Sequence, residues 1–442
     1  MNIPLDNLYH WVQGLAQHPV MLYVFRPHGS KDIFDLGPLE KKSQSYSKAL
    51  TPNIICHDQE PLNFSNSNTE YNPTKLTRLL ESRGVAKYDI DEILFLYPIF
   101  LKSADSKFNY LKSVAGYCDW IILLHSEQNS QDVENFSHDG FKMVYYWSHA
   151  VLARDWYRFA KHDTRLDQKN IEKTFLVYCR DWTPNREYRL KFLDLVVQNK
   201  LVDDCIISTQ HVNNHGIPLI DYQVQDPRFS VDTQSLLIIP DNKVSPNASA
   251  DYDANDITST AISVVLETVV DGSKIHLTEK ILRPIACGHP FLLAAGPGAL
   301  AYLRSYGFQT FDSIFNESYD QETDTVKRLE LIVKTMHQIQ QLNDQDWKNI
   351  QQITDYNKRH FFSETFMNQV REELTHNLNQ AVDFCLTNRG EFYWQARKAI
   401  RKAGLINQWA GLKDEGAKQS IQQIRKLRST RFNNSTVPIT GQ

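Results

Sequence analysis

The sequence lacks any apolar run long enough to span a membrane: stretches such as Trp120–Leu124 and Phe291–Ala295 fall far short of the roughly 20 residues required. The opening residues, Met1 to Asp6, show neither the basic nor the apolar region of a signal peptide, so the expectation is a cytoplasmic protein without a transmembrane segment. Cysteines are few and scattered (Cys56, Cys118, Cys179, Cys205, Cys287, Cys385), with no Cys-x-x-Cys pair. That excludes a disulfide scaffold and a zinc site of the usual spacing. A glycine-rich P-loop is missing, and so is a Gly-x-Ser-x-Gly elbow, which removes two large enzyme classes. A strong charge of one sign is also lacking: the net charge is −4, so a globally basic nucleic-acid binder is ruled out. What remains, 41% hydrophobic and 23% charged residues with 17 Gly and 17 Pro in 442, is the composition of folded domains.

Charge is nevertheless uneven. Arg389 to Arg431 holds 11 Lys/Arg against 3 Asp/Glu, while 37 basic and 49 acidic residues make up the rest. Arg397, Lys398, Arg401, Lys402, Arg425, Lys426, Arg428 and Arg431 are interleaved with Phe392, Tyr393, Trp394 and Trp409. Such a tail suits the phosphates of DNA or the head groups of an anionic membrane, or is a solvated helix face.

The N-terminal part alternates polar stretches with short runs of Val, Ile, Leu and Tyr: Val20–Phe25, Asn53–Cys56, Glu92–Tyr97, Asp119–His125 and Lys142–Trp147. Near-continuous apolar runs of this length predict strands of a parallel sheet covered on both faces. Thr74–Arg83, stopped by Gly84, reads as a helix. A second series follows: strands at Thr174–Tyr178, Asp204–Ser208, Ser235–Ile239, Ser263–Glu267 and Pro290–Ala294, with an amphipathic helix over Asn185–Gln198. Helical periodicity continues from about Thr325 to Leu386. The predicted architecture is α/β, GT-B-like: two Rossmann-like domains facing a cleft, with a helical C-terminal extension. The expected divisions are residues 1–165 (acceptor and base), 166–325 (nucleotide sugar), 326–388 (helical) and 389–442 (basic tail).

In open α/β sheets ligands lie beyond the carboxyl ends of the strands, and three such places carry candidate chemistry. The first is Glu267, the loop Asp271-Gly272-Ser273-Lys274, and a helix capped by Thr278, with Glu279 and Lys280 in its first turn and Gly288 at its end. Pro284 is expected to kink that helix or end it early. Its amino end beside Lys280 would attract a phosphate, Glu279 would accept hydrogen bonds from sugar hydroxyls, and the turn Gly296-Pro297-Gly298 would let backbone approach a ligand closely. The second is Arg180, with Arg186 and Arg189 on the following helix. Arg180 and Arg186 suit phosphate, whereas Arg189 is expected on a solvated face. The third is His57-Asp58-Gln59-Glu60, where Asp58 or Glu60, then His57, could act as general base. His125 and Glu127 are rival bases, and His149 is expected to be packed or capping. Asp251-Tyr252-Asp253 has the Asp-x-Asp form of metal-dependent transferases but sits in a polar stretch, so no metal and no cofactor is expected.

Ser263 to Glu267, Ile275 to Lys280 with an intact Thr278-Glu279-Lys280, and Ile285 to Pro290 with Gly288-His289-Pro290 together resemble the nucleotide-sugar segment of the α-1,3-fucosyltransferases. Thr268-Val269 stands where that family has Asn-Ser, and His276 where it has Tyr. The wider segment His276–Phe308 also resembles glycosyltransferase-like proteins of tailed phages, whose compartment would be the host cytoplasm. The resemblance implies a GT-B fold, inverting and metal-independent transfer from a nucleoside-diphosphate sugar, Glu279 on the ribose, Lys280 on the diphosphate and Arg180 at the strand end. The acceptor stays open between a surface glycan and a hydroxymethylated pyrimidine in DNA. A non-catalytic nucleotide- or sugar-binding protein is the third reading.

Overall fold

A computed structural model describes residues 8–18, 20–25, 34–36, 53–56, 61–62, 121–138, 142–182, 184–213, 216–242 and 248–387. The fold is α/β and divides into two units, both discontinuous in sequence, unlike the continuous divisions expected. Among the described residues no helix is long and apolar enough to cross a membrane.

One unit holds a five-stranded sheet of order β2-β1-β3-β4-β5, made of Met21–Phe25 (β1), Phe34–Leu36 (β2), Asn53–Cys56 (β3), Ile121–His125 (β4) and Lys142–Tyr145 (β5). Pairing is parallel except for β2, which runs antiparallel to β1. Ile54, Cys56, Ile122, Leu123, Leu124 and Val144 are buried, as a sheet covered on both faces requires. The strand expected at Glu92–Tyr97 and the helix expected at Thr74–Arg83 lie outside the described residues, as do His57, Asp58, Glu60 and the basic tail.

The other unit contains Ser126–Gln131 and Trp147–Glu373. Its sheet has the order β7-β6-β8-β9, all parallel, from Lys173–Cys179 (β6), Cys205–Thr209 (β7), Thr260–Leu266 (β8) and Phe291–Ala294 (β9). The chain builds β6, places β7 on one flank, then returns to lay β8 on the other. In open α/β sheets such a reversal marks the place for a ligand, here the carboxyl ends of β6 and β8. Around the sheet lie Ser148–Trp156 (α1), Tyr188–Gln198 (α2), Glu279–Cys287 (α3), Ala299–Ser305 (α4), Thr325–Ile339 (α5) and Asp344–Phe361 (α6). The α3 helix packs against α1 and α6, and α2 against α5.

Two local expectations are corrected. Ser235–Ile238 is a 3₁₀ turn rather than a strand, because a short apolar run fits either form and here only Leu236 and Ile239 point inward. Pro284 does not shorten α3, which runs on to Cys287. Gly288 then closes it at φ +65°, with Gly288 N donating to Ile285 O (3.1 Å) and His289 N to Pro284 O (2.9 Å).

Candidate functional site

The site is built at the ends of β6 and β8. Arg180 and Asp181 follow β6 directly. Burial lowers the pKa of the half-buried Arg180; Asp181 and Glu279 act the other way, and Arg186 and Arg189 add to the lowering. Arg186 donates to the Asp181 carboxylate, and both side chains are largely covered. Arg189 overturns the expectation of a solvated face. It is buried, with Nη1 on Asp181 O (2.7 Å) and Nη2 on Leu266 O (2.9 Å) and Glu267 O (3.0 Å). The Tyr188 hydroxyl also donates to Glu267 O. The guanidinium therefore bolts the two strand ends together through three backbone carbonyls.

Glu267, at 0% exposure, sits where β8 ends. Its carboxylate accepts from Thr278 N (3.1 Å), Thr278 Oγ1 (2.6 Å) and Thr268 N (3.2 Å). Thr278 in turn caps α3, its Oγ1 accepting from Lys280 N at 3.4 Å. At the amino end of α3, expected to hold a phosphate, the Thr278 N–H is thus taken by a carboxylate of the same chain, whose charge suits the positive end of the dipole.

The same holds at α4, where Asp320 Oδ1 accepts from Leu300 N at 2.9 Å. Gly298 begins that helix at φ +82°. A Cβ at Gly296 would lie 2.8 Å from Asp271 O and 3.0 Å from Lys274 O. The close backbone approach expected toward a ligand at Gly296 is therefore taken by the loop from Asp271 to Lys274.

The Lys280 ammonium is not free either. Nζ donates to Thr268 Oγ1 (3.2 Å), Thr278 Oγ1 (3.0 Å) and Glu279 Oε1 (3.0 Å), while its side chain keeps 27% exposure. The lysine expected to await a diphosphate is thus held in an internal ion pair, yet it stays within reach of solvent. Glu279 Oε2 lies 3.4 Å from His149 Nδ1. Burial opposes ionisation of Glu279, but Lys280 and His149 outweigh it and hold the carboxyl well below its usual range. Behind the pair, His276 meets His149 edge to face with ring centroids 5.3 Å apart.

Six of the expected residues, Arg180, Arg186, Glu267, Thr278, Glu279 and Lys280, thus gather at one sheet edge, although Arg186, Glu267 and Thr278 are engaged internally and Glu279 and Lys280 are paired with each other. Glu127 is no candidate base: it is buried and paired with Lys274 at 3.0 Å. His125 is buried at the end of β4 in the other unit. Asp253 caps the short helix Ala254–Thr258, accepting from Asn255 N at 2.8 Å, so the Asp-x-Asp stretch has a structural use. Among the described residues no group of three or more His, Cys, Asp or Glu could hold a metal. The imidazole beside Glu279 and the bolt made by Arg189 escape sequence reading, since spacing along the chain carries no trace of either contact. The chain matches no family model, no curated protein and no solved structure.

Proposed function

We propose that the chain is a glycosyltransferase whose donor, a nucleoside-diphosphate sugar, binds beyond β6 and β8. The observation that carries this reading is the convergence of Arg180 and Lys280 with the buried acid Glu279 at the point where the strand order reverses. A diphosphate there would draw Lys280 from Glu279 and pair with it and Arg180. Glu279 would then accept hydrogen bonds from the ribose. Because the negative charge of Glu267 already lies at the cap of α3, the cations of side chains carry the phosphate binding. In transfer, a base takes the acceptor hydroxyl's proton, and the oxygen attacks the anomeric carbon. The bond to the diphosphate breaks, and its electron pair leaves on the phosphate oxygen beside the two cations. The resemblance to the fucosyltransferases implies a base in the N-terminal part of the chain, for which the sequence offers Asp58, Glu60 and His57.

The test is calorimetric titration with UDP, GDP and ADP. One of them is expected to bind, and Lys280→Ala and Arg180→Ala should each weaken it by roughly ten- to a hundredfold, the value of a charge-assisted hydrogen bond. Absence of binding by the wild-type chain, or unchanged affinity in both variants, overturns the reading.

A further inference from the structure

Five consecutive residues, 274–278, leading into Glu279-Lys280 are each tied to a different partner. Lys274 Nζ pairs with Glu127 at 3.0 Å, the two side chains being 6% and 1% exposed. Ile275 exchanges backbone hydrogen bonds with Gln128 in both directions, at 2.8 and 2.9 Å. His276 Nδ1 lies 3.2 Å from Ser126 O. A carbonyl only accepts, so Nδ1 carries the proton of this imidazole, which burial keeps neutral. Leu277 O accepts from Trp147 Nε1 at 2.9 Å. That indole is itself fully buried among Tyr302, Tyr306, Phe308 and Phe366. Thr278 is held by Glu267.

Three of the five ties come from three consecutive residues, Ser126, Gln128 and, between them, Glu127. This short segment follows β4 in sequence yet belongs to the unit of the second sheet. It is itself anchored. Ser130 Oγ donates to Glu127 Oε2 at 2.5 Å, and Ser148 donates from N and Oγ to Ser126 Oγ, each at 3.2 Å. A loop of polar residues would ordinarily sample many conformations, and each tie removes some of that freedom before a ligand arrives.

We infer that Ser126–Gln128 is a clasp, and that Glu127 and Lys274 are positioning residues that fix the strap 274–278 and thereby place Glu279 and Lys280 for an anionic ligand. Its affinity consequence rests on the donor-site reading; the ordering of the strap does not. The pair is a buried one, so removing one partner strands the other's charge and can unfold the protein. Replacing both together avoids this, and the variant to make is Glu127→Gln with Lys274→Met.

Hydrogen exchange on the full chain reads the clasp without any ligand. In the double variant the amides of Ile275 and Thr278 should exchange at least tenfold faster, while those of α5 stay unchanged. Unchanged exchange at 275–278 overturns the clasp. Titration with the nucleoside diphosphate that the wild-type chain binds best reads the second half. At an unchanged melting temperature, the double variant should bind at least fivefold more weakly. Faster exchange with full affinity overturns the positioning role. A wild-type chain that binds none of UDP, GDP and ADP overturns the donor reading, and the exchange result still decides on the clasp.

Discussion

Glu267→Ala offers the sharpest test of how the site is supported. The carboxylate is fully buried and accepts three hydrogen bonds, two of them from backbone N–H groups that have no water to turn to. The Thr278 hydroxyl can rotate to another acceptor, but the amides of Thr268 and Thr278 cannot. Each stranded buried donor costs about 1–3 kcal/mol, so the variant should lose roughly 2–6 kcal/mol. Glu267→Gln keeps the size and one carbonyl oxygen. That oxygen can still accept from Thr278, while the new amide group meets Thr268 N donor to donor, for a loss of about 1–3 kcal/mol. Urea unfolding followed by tryptophan fluorescence is suited to the measurement, since Trp147 and Trp182 are buried in the same unit and will report its opening. The order expected is wild type, then Glu267→Gln, then Glu267→Ala, with no change in the denaturant slope. An alanine variant within about 0.5 kcal/mol of wild type would refute the reasoning, because it would mean the two amides find partners elsewhere.

Other consequences are as direct. Arg189→Lys should fail to restore the stability lost in Arg189→Met, because three carbonyls on two strand ends need a planar fork rather than a point charge; equal stability of the lysine variant and wild type would count against the bolt. Glu279 has a folded pKa held below its unfolded value near 4.3, so its contribution is complete above that value and fades as pH falls through the folded one. The stability gap between wild type and Glu279→Gln should therefore narrow below about pH 4, and a gap independent of pH would be the contrary result.

The second sheet was legible because its strands are short, nearly continuous apolar runs bounded by polar residues, and Thr174–Tyr178 and Pro290–Ala294 fall on β6 and β9 within a residue. Ser235–Ile239 looked the same and is not a strand, since local pattern does not say whether a neighbouring strand has room to pair. Arg180, Glu279 and Lys280 were legible as candidates from a strand end, a capped helix start and the resemblance that these residues carry. What each side chain does there was not. Arg189 and Glu267 read as surface or ligand-facing charges, because most of their partners are backbone groups, and backbone groups leave no mark in the sequence. The internal carboxylates at the amino ends of α3 and α4 are hidden for the same reason: Glu267 and Asp320 reach those ends only through the fold.

Position 296 has an implication for anyone who would remodel this protein. With the Asp271 and Lys274 carbonyls so near, even a methyl group there would push the facing loop aside. The turn after β9 and the loop before the strap are therefore one inheritable module. A chimera that imports a different loop must bring its own matching turn, and saturation mutagenesis across 271–273 should succeed only while residue 296 is left as it is.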